Sequence, residues 1–349
     1  MPGRAVNMIE KAFEFVLRPA AEILKGLILK MKPLKLSPAI KDYIWGGTRL
    51  SREFDYFAMT DRQAEAWVLS CHPDGECIVE NTAFKGRTLS DVLSAEGRDY
   101  TGTDGKKFSS FPVLIKLIDA KDNLSLQVHP DNAYAREHEN QDGKTEMWYI
   151  LDCEEGAQLI FGLKEDMTKE QFEAAVQNGT VLNFCNKVPV KKGDVFFIEA
   201  GTLHAIGKGI LLAEVQQSSN VTYRVYDYER LQNGKPRELH LKKALDVLKL
   251  QKEQRTDFEP KETQVFASSK RTLLASCENF TSYRLDVKDS LEITADESSF
   301  VSLVALDGNG VLCHNDSVLT FYKGESVFLP AGLGKVELLG DLTVLETRV

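Results

Sequence analysis

The chain has 349 residues, of which 43% are hydrophobic and 27% charged, so it is long enough for two domains of ordinary size. This composition excludes a disordered or fibrous protein. The 52 acidic residues outnumber the 43 basic ones, and the resulting net charge of −9 argues against a nucleic-acid-binding protein. No apolar run approaches the roughly 20 residues that span a bilayer. We therefore expect neither a nucleic acid nor a membrane as a partner.

Residues 9–30 have a loosely helical apolar pattern that Pro19 interrupts. Acidic residues within it argue against a signal peptide or a transit peptide. Three interpretations of residues 1–30 remain: a helical extension that packs on the body, a weak interfacial helix, or sequence that is not native and precedes a true start at Met31. The last is favoured because a strand-like pattern begins directly after Met31.

From Met31 onward the chain is predicted to consist mainly of short strands, which is typical of a β-sandwich or a jelly-roll barrel. Helical patterns are fewer and cover residues 88–95, 168–178 and 239–251. Residues 252–263 are highly charged and are predicted to be a linker. We therefore predict a first domain at 31–251 and a second, all-β domain at 264–349.

A short internal repeat relates these two domains. The segment KGDVFFIEAGTLH (192–204) is similar to KGESVFLPAGLGK (323–335), with an offset of 131 residues at every matched position. YILDC (149–153) is likewise similar to VALDG (304–308). Two β-barrels of common ancestry would produce this pattern. Because Lys335 corresponds to His204, we predict that a metal bound through this histidine is confined to the first domain.

Three patches of the first domain carry candidate metal ligands. In LSLQVHPD (124–131), Gln127 and His129 are two residues apart and so share one face of a strand. GKTEMWY (143–149) places Lys144 and Glu146 on one face, and EAGTLH (199–204) is a turn that leads to His204. Nitrogen and oxygen ligands of this kind suit a catalytic zinc site, although manganese, cobalt, nickel or iron would also be accepted. The competing interpretation is that each histidine is an ordinary core or surface residue.

A fourth patch, EVQQSSNVTYRVYD (214–227), alternates polar with apolar residues. Glu214 and Arg224 belong to its polar face. The functional interpretation is that the Arg224 guanidinium binds an anion such as a phosphate. The alternative is an ordinary strand at the surface of the sheet.

Taken together, the patches resemble the type I phosphomannose isomerase family of cupin enzymes. The resemblance is carried by FPVLIKLIDAKDNLSLQVHPD (111–131), GKTEMWYIL (143–151), AGTLHAIGKG (200–209) and EVQQSSNVTYRVYD (214–227), with KDYIWGGTRL (41–50) and EAWVLS (65–70) in the same pattern. It runs from about Met31 to the C-terminus and resembles the short bacterial form. It implies a mainly β protein of two cupin-type jelly-roll β-barrels with a few short helices.

The resemblance also implies the roles of individual residues. It implies one zinc ion per chain with the ligands Gln127, His129, Glu146 and His204. It implies the catalytic residues Arg224, Lys144 and Glu214. It implies the substrate-binding residues Lys116 and Arg224. The base that moves the proton stays open between Lys144, Glu214 and a water on the metal.

The implied activity is a metal-dependent interconversion of mannose 6-phosphate and fructose 6-phosphate, in which a proton moves through a cis-enediol. The implied enzyme class is an aldose–ketose isomerase whose partner is a small sugar phosphate. The alternatives are a non-catalytic sugar-binding cupin and another metal-cupin enzyme, such as an oxygenase or a nucleotide-sugar epimerase. A monomer or a homodimer is expected.

The cysteines are Cys71, Cys77, Cys153, Cys185, Cys277 and Cys313. No two of them form a CxxC pair, which argues against a zinc ribbon or a thioredoxin-type site. A chain of this length builds its core without disulfides, and no secretory signal is evident. We therefore expect free thiols and a cytoplasmic location.

Overall fold

The structure is a computed structural model that describes residues 31–255, 258–260, 262–315 and 317–349. The predicted extension 1–30 lies outside the described residues. Residues Pro33–Val349 form one unit, to which the description below refers. No helix of the described residues is long and apolar enough to cross a membrane.

Short strands dominate this unit, as the sequence predicts. The strands of its first half are β1 (Leu34–Ser37), β2 (Ala39–Lys41), β3 (Glu65–Leu69), β4 (Ile78–Val79), β5 (Val113–Ala120), β6 (Leu126–Val128), β7 (Glu146–Cys153), β8 (Gln158–Leu163), β9 (Cys185–Pro189), β10 (Val195–Ile198), β11 (His204–Ala205), β12 (Ile210–Gln217) and β13 (Tyr223–Tyr226). Those of its second half are β14 (Leu231–Gln232), β15 (Lys235–Pro236), β16 (Thr263–Val265), β17 (Ser269–Ser276), β18 (Thr281–Val287), β19 (Ser290–Ala295), β20 (Val301–His314), β21 (Ser317–Tyr322), β22 (Ser326–Leu329) and β23 (Gly334–Arg348).

The helices are short and connect or cover the sheets. They are α1 (Arg49–Phe54), α2 (Leu89–Glu96), α3 (Gly102–Gly105), α4 (Asn132–His138), α5 (Lys169–Gln177) and α6 (Leu241–Val247). The predicted helices at 88–95, 168–178 and 239–251 correspond to α2, α5 and α6. Helix α5 begins with a capping box, in which the Thr168 hydroxyl accepts a hydrogen bond from the Gln171 backbone and the Gln171 side chain accepts one from the Thr168 backbone.

Two sheets form the part of the fold that contains the candidate site. The six-stranded sheet has the order β10-β7-β12-β5-β3-β2, and the five-stranded sheet has the order β13-β6-β11-β8-β9. A buried cluster joins their facing surfaces and includes Trp148 and Leu212 from the first sheet and Phe161 from the second. The outer face of the five-stranded sheet packs on α5 and α6 through a second cluster. This arrangement agrees with the mainly β, cupin-type fold that the sequence predicts.

The third sheet contains ten strands in the order β16-β17-β18-β23-β20-β22-β1-β4, with β19 paired to β23 and β21 paired to β20. Most of it comes from residues 263–348, but β1 lies between β22 and β4, with Leu34 opposite Phe328. The N-terminal strand of the described chain is therefore part of the sheet built by the C-terminal residues.

The internal repeat is visible in the pairing of the strands. Tyr149 lies opposite Val195 in the β7–β10 pair, and Val304 lies opposite Ser326 in the β20–β22 pair. These are the positions that the sequence offsets match, so the two segments form the same antiparallel pair in the same register. Lys335, which replaces His204 in the repeat, is exposed and pairs with Glu292.

The charged segment after α6 is attached to the two-sheet part of the fold. Phe258 is buried, and its ring stacks on that of Phe196 with centroids 4.2 Å apart. The Val195 backbone N–H donates a hydrogen bond to the Phe258 carbonyl oxygen over 2.6 Å. All six cysteines are free, as the sequence predicts.

Candidate active site

One wall of the site is a row of three side chains across the five-stranded sheet. Gln127 on β6 lies opposite His204 on β11 and opposite Arg224 on β13. Directly opposed residues project to the same face of a sheet, so these three side chains share one face. The alternating residues Leu126 and Val128 pack on the other face in the cluster that contains α5 and α6. The period of the strand thus separates core residues from site residues.

The other wall comes from the six-stranded sheet. On β12, Glu214 lies opposite Lys116 of β5 on one side and opposite Trp148 of β7 on the other. Glu146 is two residues before Trp148 and shares its face. Lys144 lies just before β7, where its backbone N–H donates to the Pro130 carbonyl oxygen. This bond ties Lys144 to the turn that follows His129.

His129, Glu146 and His204 meet between the two walls. Their potential ligand atoms all lie within 4.8 Å of one another, and all three residues are buried. The two Nε2 atoms are 3.1 Å apart, and the Glu146 oxygens lie 3.6 Å from His129 Nε2 and 3.4 Å from His204 Nε2. Of the described residues, this is the cluster whose side chains could hold a metal ion. It consists of three of the four residues for which the family resemblance implies metal binding.

Hydrogen bonds determine the tautomers of both histidines. His129 Nδ1 lies 2.8 Å from the Val221 carbonyl oxygen, and His204 Nδ1 lies 2.9 Å from that of Thr202. A carbonyl oxygen only accepts, so each Nδ1 carries the proton and each neutral ring presents an Nε2 lone pair to the other. Two lone pairs cannot hydrogen bond to each other. Lys144 Nζ, 3.1 Å from His129 Nε2, is a donor for that lone pair, whereas a metal cation between the two rings would satisfy both.

The pKa shifts of the two histidines also agree with metal binding at this cluster. Burial lowers the pKa of His204 to about 4. Burial also lowers the pKa of His129 well below its usual value, and the neighbouring Lys144 adds to the effect. Neutral imidazoles are the form that binds a metal. Glu146 Oε1 has no hydrogen-bond partner among the described residues, and Oε2 forms a 2.6 Å ion pair with Lys144 Nζ. The residues present therefore fit a divalent cation with nitrogen and oxygen ligands.

Gln127 lies beside this cluster, with its Nε2 atom 3.3 Å from His204 Nε2. A half-turn of the amide exchanges its nitrogen and oxygen and directs the oxygen to the same point. The side chain is thus within reach of a cation held by the two imidazoles, and Gln127 stays a predicted ligand.

Two lysines and two glutamates form a buried network next to the cluster. Lys116 Nζ lies 2.8 Å from Glu214 Oε1, and Lys144 Nζ lies 2.6 Å from Glu146 Oε2 and 4.0 Å from Glu214 Oε1. Burial opposes ionisation of Glu214, but Lys116 and Lys144 outweigh it and hold the pKa of this carboxyl below its usual value. Burial and the charge of Glu214 raise the pKa of Glu146. The pKa values of the Glu214 and Glu146 carboxyl groups are therefore shifted in opposite directions.

A cavity of about 270 Å³ opens beside the network. Its wall includes five of the predicted site residues, namely Lys116, Gln127, Lys144, Glu214 and Arg224. The charged side chains of the wall are four cationic and two anionic ones, in a chain whose net charge is −9. This local excess of positive charge would attract a small dianion.

The cavity wall also contains Glu65, Ser125 and Arg237, which are not among the predicted site residues. Ser125 is buried, and its hydroxyl accepts a hydrogen bond from Arg224 Nε over 3.3 Å. Because it precedes Gln127 by two residues, the period of a strand would have placed it on the same face as Gln127. Glu65 Oε2 accepts from Trp67 Nε1 over 2.6 Å and lies 3.7 Å from Lys116 Nζ. No sequence signal placed Arg237 beside Arg224.

Comparisons with known proteins identify the family. Residues 33–172 match the family model "Phosphomannose isomerase type I, catalytic domain", and residues 269–349 match "Mannose-6-phosphate isomerase, cupin domain". The mannose-6-phosphate isomerase of Streptococcus mutans is 38% identical over 91% of this chain and 98% of its own length. Mannose-6-phosphate isomerase ManA of Bacillus subtilis is 37% identical over 88% of this chain and 96% of its own.

A solved structure agrees. The crystal structure of the mannose 6-phosphate isomerase from Bacillus subtilis superposes with a TM-score of 0.84 and 35% identity, and it covers 91% of this chain and 99% of that one. The chain therefore belongs to the type I phosphomannose isomerases, a family of aldose–ketose isomerases.

Proposed function

We propose that this chain interconverts mannose 6-phosphate and fructose 6-phosphate by moving a proton between neighbouring carbons of the open-chain sugar, through a cis-enediol. The observation that carries the proposal is the cluster of His129, Glu146 and His204 next to a cavity with an excess of cationic side chains. Family membership supports the same activity. An anionic sugar matches the charge of the cavity, and a carbonyl substrate matches the metal-binding chemistry of the cluster.

The metal that we propose is zinc, one ion per chain. The ligands would be His129, Glu146 and His204, with Gln127 as the fourth. A set of two imidazoles and oxygen donors supports zinc, although it is also acceptable to manganese, cobalt, nickel and iron. When bound, such a cation supplies Lewis-acid polarisation of the carbonyl and hydroxyl oxygens of the sugar.

The residues that would exchange the proton with the sugar are Lys144 and Glu214. Both line the cavity, and their charged atoms are 4.0 Å apart. Glu214 is kept ionised by the two lysines, and its Oε2 accepts from Trp148 Nε1 over 2.9 Å, so the orientation of its carboxylate is defined. In either direction one base takes the carbon-bound proton and returns it to the neighbouring carbon, a role that stays open between Glu214, Lys144 and a water on the metal.

Arg224 would bind the negative charge of the substrate. Its Nη1 donates to the Glu238 carbonyl oxygen over 2.9 Å, whereas its Nη2 makes no hydrogen bond with the described residues. Nη2 thus has donors for a phosphate or an enediolate oxygen. Lys116 stays a predicted substrate-binding residue. Its contacts with Glu214 and Glu65 support a second role, which is to hold Glu214 ionised.

We also propose how the chain is divided into domains. Residues 31–251 would form the catalytic, metal-binding domain, 252–263 the linker, and 264–349 a cupin-like β domain without a metal site. The replacement of His204 by Lys335 in the repeat supports the last point. We further propose a cytoplasmic protein, which the free thiols support, that works as a monomer or a homodimer.

A coupled assay of fructose 6-phosphate formation from mannose 6-phosphate tests the proposal. We expect turnover by the metal-loaded protein, loss of turnover when a chelator removes the metal, and recovery when zinc is returned. Turnover that continues after complete metal removal would contradict the metal-dependent mechanism. Binding of mannose 6-phosphate without turnover by the zinc-loaded protein would instead support a non-catalytic sugar-binding cupin. Restoration with manganese, cobalt, nickel and iron(II) salts in parallel tests the choice of metal.

A further inference from the structure

A two-stranded hairpin next to the cavity has an arginine directly before its first strand and another directly after its second. The hairpin consists of β14 and β15, and its turn residues Asn233 and Gly234 have φ angles of 54° and 77°. Positive φ at both positions is typical of a type I′ turn, for which Asn-Gly is the preferred sequence. Arg230 directly precedes β14 and Arg237 directly follows β15, so the pairing of the two strands brings both arginines to the same end of the hairpin.

A single carboxylate binds both arginines. Asp227 is buried and forms ion pairs with Arg230 and Arg237. Arg237 Nε donates to Asp227 Oδ2 over 2.7 Å, and its Nη2 donates to Oδ1. This two-point contact restricts the guanidinium to one plane and one orientation. Arg230 also lies 4.0 Å from Asp122 Oδ2, whereas Asp227 is the carboxylate that Arg237 contacts, and Arg224 adds a third guanidinium to the same region.

The same end of the hairpin is joined to Arg224. Arg224 Nη1 donates to the carbonyl oxygen of Glu238, the residue after Arg237. The His240 backbone N–H donates to the Arg224 carbonyl oxygen over 2.7 Å. Arg224 and Arg237 both line the cavity. Nη1 of Arg237 makes no hydrogen bond with the described residues, so each of the two guanidinium groups has donors that no protein acceptor uses.

Two like charges on one wall repel each other. Burial lowers the pKa of Arg224, and the nearby Arg237 lowers it further. Such an arrangement is unfavourable without a ligand and becomes favourable when an anion binds between the two groups, because guanidinium forks match the geometry of phosphate oxygens.

We propose that Arg237 is a second substrate-binding arginine, which contacts the phosphate group of the substrate together with Arg224, and that Asp227 is its positioning residue. The proposal rests on the proposed sugar phosphate activity and extends the substrate site to the hairpin. The hairpin thereby becomes part of the phosphate subsite, although its strands carry none of the metal ligands or proton-transfer residues.

The test compares Arg237→Ala and Arg237→Lys with the wild type, all loaded with zinc. The matched control is Lys235→Ala, which removes an exposed cation from the same hairpin. A charge-assisted contact to phosphate corresponds to a loss of roughly tenfold to a hundredfold in affinity. We therefore expect Arg237→Ala to raise KM for mannose 6-phosphate at least tenfold while kcat changes less than about threefold. Arg237→Lys, which keeps the charge but loses the fork, should lie between wild type and Arg237→Ala.

A second readout does not depend on turnover. Inorganic phosphate is titrated calorimetrically into each zinc-loaded variant, and we expect Arg237→Ala to weaken its binding by a factor similar to the rise in KM. Lys235→Ala should match the wild type in both measurements. Equal KM and equal phosphate affinity in Arg237→Ala and wild type would overturn the inference. A wild-type protein without isomerase activity would overturn the proposed function instead, and loss of phosphate binding in Arg237→Ala would then still support an anion site. Thermal unfolding and zinc content confirm that each variant is folded. If Arg237→Ala is not folded, Arg237→Lys is compared with the wild type instead.

Discussion

Replacing Glu146 by glutamine should stabilise the metal-free protein and weaken the stabilisation that zinc provides. Glu146 is fully buried, its Oε1 has no hydrogen-bond partner among the described residues, and its Oε2 is paired with Lys144. Burial and Glu214 raise the pKa of this carboxyl despite the neighbouring Lys144. A raised carboxyl pKa means that ionisation destabilises the folded state, and this cost is fully present above the folded pKa and absent below the unfolded one. At pH 8 and without metal, the glutamine variant should therefore be more stable than wild type, by about 1 to 3 kcal/mol.

Zinc should offset most or all of this difference, and it should reverse the difference where the metal-free gain is below about 2.7 kcal/mol. A ligand at 1,000 times its dissociation constant stabilises the folded state by about 4.1 kcal/mol. Loss of a group that only supports a metal ligand can weaken metal binding up to about a hundredfold. If loss of the Glu146 carboxylate weakens zinc binding by this factor, the same zinc concentration stabilises the folded variant by about 1.4 kcal/mol. The zinc-dependent stabilisation of the variant should thus fall short of the wild-type value by about 2.7 kcal/mol.

The assay is thermal unfolding of both proteins in chelator and in zinc. Glu214→Gln is the matched control, because Glu214 is a buried carboxylate of the same network that does not belong to the cluster. It should keep the full zinc-induced rise in the unfolding midpoint. An equal zinc-induced rise in Glu146→Gln and wild type would refute the reasoning that Glu146 is a ligand.

Three further predictions concern single residues. His204→Ala should lose zinc and isomerase activity together, as measured by metal analysis and the coupled assay, and full zinc content would contradict the ligand set. Arg224→Ala should keep its zinc while kcat/KM falls roughly a hundredfold to a thousandfold, as for a contact to transition-state charge, so an unchanged kcat/KM would exclude that contact. Burial opposes ionisation of Asp227, but Arg237 and Arg230 outweigh it and hold the pKa of this carboxyl below its usual value. The stability that it contributes is present above its unfolded pKa of about 3.9 and is lost as the pH falls through the lower folded value. At pH 7, metal-free Asp227→Asn should thus be less stable than metal-free wild type by about 1 to 3 kcal/mol. Thermal unfolding should show this difference in stability begin to shrink below about pH 4. A difference that stays constant at lower pH would count against the lowered pKa.

Local sequence patterns predicted which candidate ligands share a face of a strand, whereas their joint role in metal binding was implied by the family resemblance. Gln127 and His129 are two residues apart on an extended segment, and the period of a strand alone puts them on one face. His204 follows a turn whose glycine, Gly201, has a φ of +86°, so the pattern AGTLH already indicated where the chain bends. The repeat was equally predictable, since both copies retain the residues that define their turns.

The parts that the sequence did not predict depend on contacts between distant segments. Phe258 lies in a segment so rich in charge that it was predicted to be a linker, yet its ring packs on Phe196 in the core. Arg237 lies beside Arg224 because Asp227 and the hairpin pairing bring it there, and neither spacing nor periodicity reports such a contact. Local patterns state which face a side chain occupies, whereas the partner on that face is determined by tertiary packing.

The position of β1 has a consequence for the synthesis of the protein. Lys35 on this strand forms an ion pair with Glu325, 290 residues later in the chain. Because a ribosome releases the chain from its N-terminus onward, β1 emerges before its neighbour β22, and 290 residues separate the paired Lys35 and Glu325. Until then this edge of the nascent protein has unpaired backbone groups, which invite incorrect strand pairing. Completion of this sheet should therefore wait for the synthesis of β22, and pairing between segments so distant in the sequence should make its folding slow.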